Sequence, residues 1–128
     1  MALTKAAIEA YEKMRIYPKI DWGEYRKPSF LLWRGRLSFV YGLYSTQDGM
    51  IRYVGKANDP QKRYFGHLSA ARRGGGYPVL EWIRHTMESG FSIQMIVLDI
   101  AQRDVAHKVE RHWIVKLLQE DFPLLNVQ

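Results

Sequence analysis

The groups in this sequence whose types and spacing could do chemistry are two tyrosines flanked by glycines, an Arg/His pair and one carboxylate on an apolar helix face. Tyr44 and Tyr53 lie on either side of Asp48-Gly49, a two-residue hairpin signal. If Asp48 and Gly49 form that turn, cross-strand partners sum to 97 in residue number, so Tyr44 faces Tyr53 and Gly42 faces Gly55 on one face of the sheet. Two phenols would then stand beside a patch without side chains, where a second backbone, a helix or a phosphate could come close. An aromatic cross-strand pair that merely packs is the alternative. Arg63 and His67, four residues apart, share a helical stripe that borders the apolar arc of Tyr64, Leu68 and Ala71. At helical spacing Val105, Ala106, Val109, Trp113, Ile114, Leu117 and Leu118 form another apolar arc, and Glu110 falls inside it. A carboxylate there must pair with a cation such as an arginine, be protonated, or bind a metal. His107, three residues before Glu110, sits at the edge of that arc and lacks the further ligands a metal site needs.

Other chemical motifs fail on spacing. Val54-Gly55-Lys56-Ala57 looks like the end of a phosphate-binding loop, but Gly49 lies one residue too far upstream and Ala57 replaces the required Ser or Thr. Neither Gly-x-Ser-x-Gly nor His-Glu-x-x-His occurs.

The elements that must position these groups follow from hydrophobic period and from turn residues. A helix is expected over 3–17, ended by Pro18. Residues 18–38 show no period and hold Trp22, Tyr25 and Trp33 among Lys19, Arg26, Lys27, Arg34 and Arg36. Strands are expected over 39–46 and 50–56, joined tightly at Asp48-Gly49. Asp59-Pro60 opens a helix running to about residue 73, with Asp59 as N-cap and Pro60 in the first turn. A glycine loop over 74–76 precedes a helix over 77–89, closed by Gly90. A buried strand over 91–100, a long helix over 103–119 and an extended tail over 123–128 complete the chain. The expected architecture is α/β (α+β): a three-stranded antiparallel sheet flanked by helices, residues 39–128, preceded by an N-terminal helical extension, residues 1–38.

Composition narrows the functions. The 128 residues include no cysteine, which excludes disulfides, a thiol nucleophile and cysteine-ligated metals. With 19 Lys and Arg against 13 Asp and Glu the net charge is +6, which points first to nucleic acid and second to an anionic membrane surface. Residues 1–38 carry eight basic against four acidic residues, and residues 39–128 eleven against nine, so most of the surplus sits in the extension. No apolar run approaches the ~18 residues of a membrane span, so a soluble, cytoplasmic protein with no membrane partner is expected.

Taken together, Gly42-Leu43-Tyr44, Tyr53-Val54-Gly55, Lys56, Asn58, Arg63 ten residues after Tyr53, His67 four further on, Glu110 ahead of Trp113-Ile114, and Asn126 in a closing Leu-Asn segment resemble the GIY-YIG nuclease superfamily. The resemblance covers residues 39–128. Eight residues separate the two half-motifs, fewer than the family usually has, and Ala57 stands where a threonine is common.

The resemblance implies a metal-dependent endonuclease that hydrolyses phosphodiester bonds, with double-stranded DNA as the expected partner and one Mg²⁺ or Mn²⁺ ion per site. On that reading Glu110 holds the metal, leaving its other positions to water and substrate, and Arg63 clamps the phosphate. Tyr44 is the general base, and Tyr53, His67 or Lys56 lowers its pKa or takes its proton. Gly42 and Gly55 let substrate or backbone approach, and Asn126 orients its neighbours by hydrogen bonding. The alternative is an inactive nucleic-acid-binding module that keeps the fold. Whether the protein works as a monomer or a homodimer is left open.

Overall fold

In the computed structural model, which describes residues 37–126, the sheet is organised by a strand buried on both faces. This strand, β1 (Leu37–Ser45), lies between β2 (Ile51–Ala57) and β3 (Ile93–Gln102), and both pairings are antiparallel. Phe39, Val40, Tyr41 and Leu43 are each at most 1% exposed, which explains the unbroken apolar and aromatic run of β1. Phe39, Tyr41 and Leu43 enter a cluster with Met95 and Val97 of β3, Ala71 of helix α1 (Pro60–Arg72) and Ile83 of helix α2 (Pro78–Glu88). Val40 enters a second cluster with Val54, Leu98 and Leu117 of helix α3 (Ala106–Gln119). The sheet therefore has α1 and α2 on one face and α3 on the other, with each fully buried aliphatic or aromatic side chain contributing about 1.5–3 kcal/mol. The antiparallel sheet flanked by helices is as expected. The expected helix over 3–17 and all but the last two residues of the basic, aromatic stretch over 18–38 lie outside the described residues, and those last two, Leu37 and Ser38, begin β1.

The hairpin departs from the tight turn. The loop spans 46–50 and is held by its own polar groups: Gly49 N–H donates to the Ser45 carbonyl (2.8 Å), Gln47 N–H to Ser45 Oγ (3.0 Å) and Met50 N–H to Asp48 Oδ1 (2.9 Å). Asp48 also bonds Arg52 through Oδ2 at 2.8 Å, and Gly49 takes a φ of 71°. A bulge lies between Leu43 and Tyr44, and beyond it Leu43 pairs with Tyr53, Gly42 with Val54 and Tyr41 with Gly55. The register is thus one residue away from that of a two-residue turn. A one-residue slip exchanges the faces of a strand, and here it replaces Tyr44 by Tyr41 on the face of Tyr53 and Gly55.

The helices begin and end on local chemistry. Asp59 accepts from Lys62 N–H (3.1 Å) and Pro60 occupies the first turn, so α1 starts where expected. Gly74 (φ 84°) and Gly90 (φ 87°) follow α1 and α2 in the left-handed region. Arg84 on α2 donates to the Ala71 and Gly75 carbonyls at 3.1 and 3.4 Å, tying α2 to the end of α1. β3 runs two residues later than expected at each end, because Leu37 pairs with Gln102 and Ser45 with Ile93. A turn over 103–105 follows, so α3 starts only at Ala106. At its end Asp121 adopts a φ of 65°, Asp121 N–H donates to Leu118 O (3.1 Å) and Phe122 N–H to Leu117 O (3.0 Å). This Schellman geometry turns the chain back toward the outer edge of β2, where Leu125 N–H meets Arg52 O at 2.6 Å.

Candidate active site

The central strand delivers Tyr41. Its partner Gly55 has no side chain, and a Cβ there would lie 2.5 Å from Tyr41 Oη and 2.7 Å from Cζ. The glycine is needed because a phenol crosses the β2 backbone at that point. Tyr53, two residues earlier on the same face, sets its ring 6.3 Å from that of Tyr41. The residue that completes the group is His67, whose ring lies 5.9 Å from Tyr41 and 5.3 Å from Tyr53, both edge-on. Tyr41 Oη and His67 Nε2 are 2.7 Å apart. The Arg63 guanidinium, one turn before His67 on α1, lies close enough to act on the phenol electrostatically.

The direction of the Tyr41–His67 bond follows from its donor. The buried phenol O–H needs an acceptor, and His67 Nε2 is the one within reach among the described residues. That assignment places the imidazole proton on Nδ1 and requires a neutral ring. Burial and then the neighbouring Arg63 charge push the His67 pKa down to about 4, in agreement. Burial raises the Tyr41 pKa strongly. Tyr53 and Glu110 push it the same way, while the nearby Arg63 guanidinium opposes them. Tyr53 is likewise raised, by burial first and by Glu110 second. Both phenols therefore keep their protons at neutral pH.

Glu110 reaches the group from α3, on the other side of the sheet, past the edge strand β2. It is half-buried, and burial raises its pKa against the opposing charges of Lys56, Arg63 and His107. Among the described residues no cation lies within ion-pair distance of its carboxylate. The arginine pairing open at the level of sequence is thus a longer-range attraction. No group of three or more His, Asp or Glu among the described residues could cage a metal ion. An ion here would be held by one carboxylate, with water and substrate supplying the rest, an arrangement that suits Mg²⁺ and not zinc.

Tyr53, Arg63, His67, Glu110 and Asn126 line one cleft of about 550 Å³. Asn126 is fixed there by a reciprocal pair of bonds, accepting from Val54 N–H (3.0 Å) and donating to Val54 O (2.7 Å). Its amide stands in for a neighbouring strand at the free edge of β2, between Tyr53 and Gly55. Lys56 is exposed and faces Glu110 electrostatically.

The structure does not bring Tyr44 or Gly42 to this cleft. Continuous pairing with β3, Tyr41 with Val97 through Tyr44 with Gln94, puts Tyr44 and Gly42 on the face opposite Tyr41. The space at Gly42 is taken by Ile51, whose Cγ2 lies 3.1 Å from where a Cβ would stand. The physical cause is the bulge and the longer loop. Tyr41 is the functional candidate that sequence reasoning missed. Its signal was the period-two set Phe39, Tyr41, Leu43, which shares one face of β1 without reference to the turn. Neither a protein-family model, nor a curated protein, nor a solved structure matches this chain.

Proposed function

We propose that this chain is a metal-dependent phosphodiester hydrolase of the GIY-YIG type, an endonuclease whose first substrate to test is double-stranded DNA. One observation carries the reading: Tyr53, Arg63, His67 and Glu110, drawn from β2, α1 and α3, line a single cleft, and Tyr41 of β1 lies buried behind it with its hydroxyl 2.7 Å from His67 Nε2. Taking Tyr41 in place of Tyr44 as the first tyrosine also lengthens the spacer to Tyr53 from eight residues to eleven, which removes the shortfall against the family pattern.

The roles follow from donor sets and protonation. Arg63, exposed and lining the cleft, clamps the substrate phosphate. A water beside the phosphorus then gives its proton to Tyr41 Oη as the phenol proton passes to His67 Nε2. The water oxygen bonds to phosphorus and the bond to the 3′-oxygen breaks, that oxygen keeping the bonding pair and taking its proton from solvent water. Tyr53, protonated at neutral pH, donates to a non-bridging oxygen. Glu110 would hold Mg²⁺ or Mn²⁺, which when bound offsets charge on the phosphate oxygens. Lys56 adds positive charge at the same edge, and Asn126 keeps β2 in place.

A plasmid-nicking assay with Mg²⁺, Mn²⁺ or EDTA tests the reading. Nicking that needs a divalent ion and falls by orders of magnitude in Glu110→Ala supports it. Metal-independent binding with no product under either ion would leave only the nucleic-acid-binding alternative.

A further inference from the structure

The cleft continues past the polar cluster. From Arg63 and His67 it runs along α1 over Gly66 and Ala70 to a wall formed by Tyr77, Pro78, Val79 and Leu80. Its volume of about 550 Å³ falls within the ~300–1,000 Å³ of pockets that enclose a small organic ligand, and a phosphodiester group alone would leave the apolar end empty. Two residues at that end are not accounted for by the fold. Gly66 sits inside α1 without a positive φ, and a Cβ there would meet nothing within 4 Å. Glycine weakens a helix interior relative to alanine, so neither backbone nor packing asks for it, and what it leaves is open cleft. Tyr77 is 69% exposed, and although it occupies the N-cap position of α2 its side chain makes no capping bond.

Resting on the nuclease reading, we propose that this end of the cleft receives the base of a nucleotide next to the scissile phosphate, out of the helical stack and laid against Tyr77. The substrate class is then duplex DNA carrying an unpaired nucleotide at the cut, and not a uniform duplex. The chemistry fits at each point. A flat aromatic face stacks any base, Gly66 and Ala70 give a floor without bulk, and Arg63 at the junction holds the attached phosphate. An unpaired base enters most readily, because it has already lost its pairing and much of its stacking.

The test uses the full chain and two labelled duplexes, identical except that one carries a single extra unpaired adenine. Kd is measured in EDTA and cleavage is mapped with Mg²⁺. Wild type is expected to bind the bulged duplex more tightly and to cut beside the extra base. Tyr77→Ala should weaken binding of the bulged duplex by about tenfold and leave the uniform duplex unchanged, while Tyr77→Phe retains the preference. Gly66→Leu should lose the preference without a fall in Tm. Equal affinity of wild type for the two duplexes, or an equal loss on both in Tyr77→Ala, overturns the proposal. A preference in EDTA without cleavage under Mg²⁺ or Mn²⁺ upholds the base site and defeats the nuclease reading. Cleavage indifferent to the bulge and to Tyr77 does the reverse, and no binding to either duplex defeats both.

Discussion

Acidification should destabilise the fold through His67. In the native state its ring is neutral and accepts from Tyr41 at 2.7 Å, with a pKa pushed down to about 4 against an ordinary 6.5. Between those values the unfolded chain holds a proton on this residue and the folded chain does not, so stability falls as pH falls. The contribution is fully present above about pH 6.5 and is lost as pH drops through about 4. The gap between the two values corresponds to about 3 kcal/mol, a large share of the ~5–15 kcal/mol that stabilises a domain. Urea denaturation of wild type and His67→Gln at several pH values between 4 and 7.5 isolates the effect, because other titrating groups are common to both chains. The stability advantage of wild type over the variant should shrink by about 3 kcal/mol across that range. Curves that stay parallel would refute the neutral, acceptor imidazole and with it the hydrogen-bond direction assigned to the Tyr41–His67 pair.

Two further substitutions probe what holds the cleft. Gly55→Ala places a Cβ 2.5 Å from the buried Tyr41 oxygen, so it should destabilise by about 1–3 kcal/mol in urea denaturation and displace the phenol from His67. Asn126→Ala removes both bonds to Val54 at the edge of β2 and should cost about 1–3 kcal/mol, with faster amide hydrogen exchange at Val54.

Much of the fold was legible because local chemistry decides it. Asp59-Pro60 fixes the start of α1, and the glycines at 74 and 90 mark where α1 and α2 have ended. The apolar arc of α3 was legible in part: Ala106 and Leu117 are buried, yet Val105 and Leu118 are exposed because the helix starts later and meets the sheet over a narrower face. The hairpin register was not legible from Asp48-Gly49. Ser45 and Asp48 stabilise a longer loop through their own side chains, and the bulge after Leu43 then moves every partner by one. That single residue of register separates Tyr44 from Tyr41. Arg63, His67 and Glu110, singled out by helical spacing that does not depend on the hairpin, line the same cleft. Asn126 was legible as a hydrogen-bonding residue, but its partner Val54 is 72 residues away, and only the turn at Asp121 brings the two together.

The central claim is that the tyrosine acting with His67 is Tyr41, in a cleft that hydrolyses phosphodiester bonds. The most direct test compares Tyr41→Phe with Tyr44→Phe in Mg²⁺-dependent nicking by purified protein. Phenylalanine keeps the ring at each position and removes only the hydroxyl. Tyr41→Phe should slow cleavage by about 100-fold or more with substrate binding retained, and Tyr44→Phe should cut close to the wild-type rate. A defect confined to Tyr44→Phe, or full cleavage by Tyr41→Phe, would contradict the assignment.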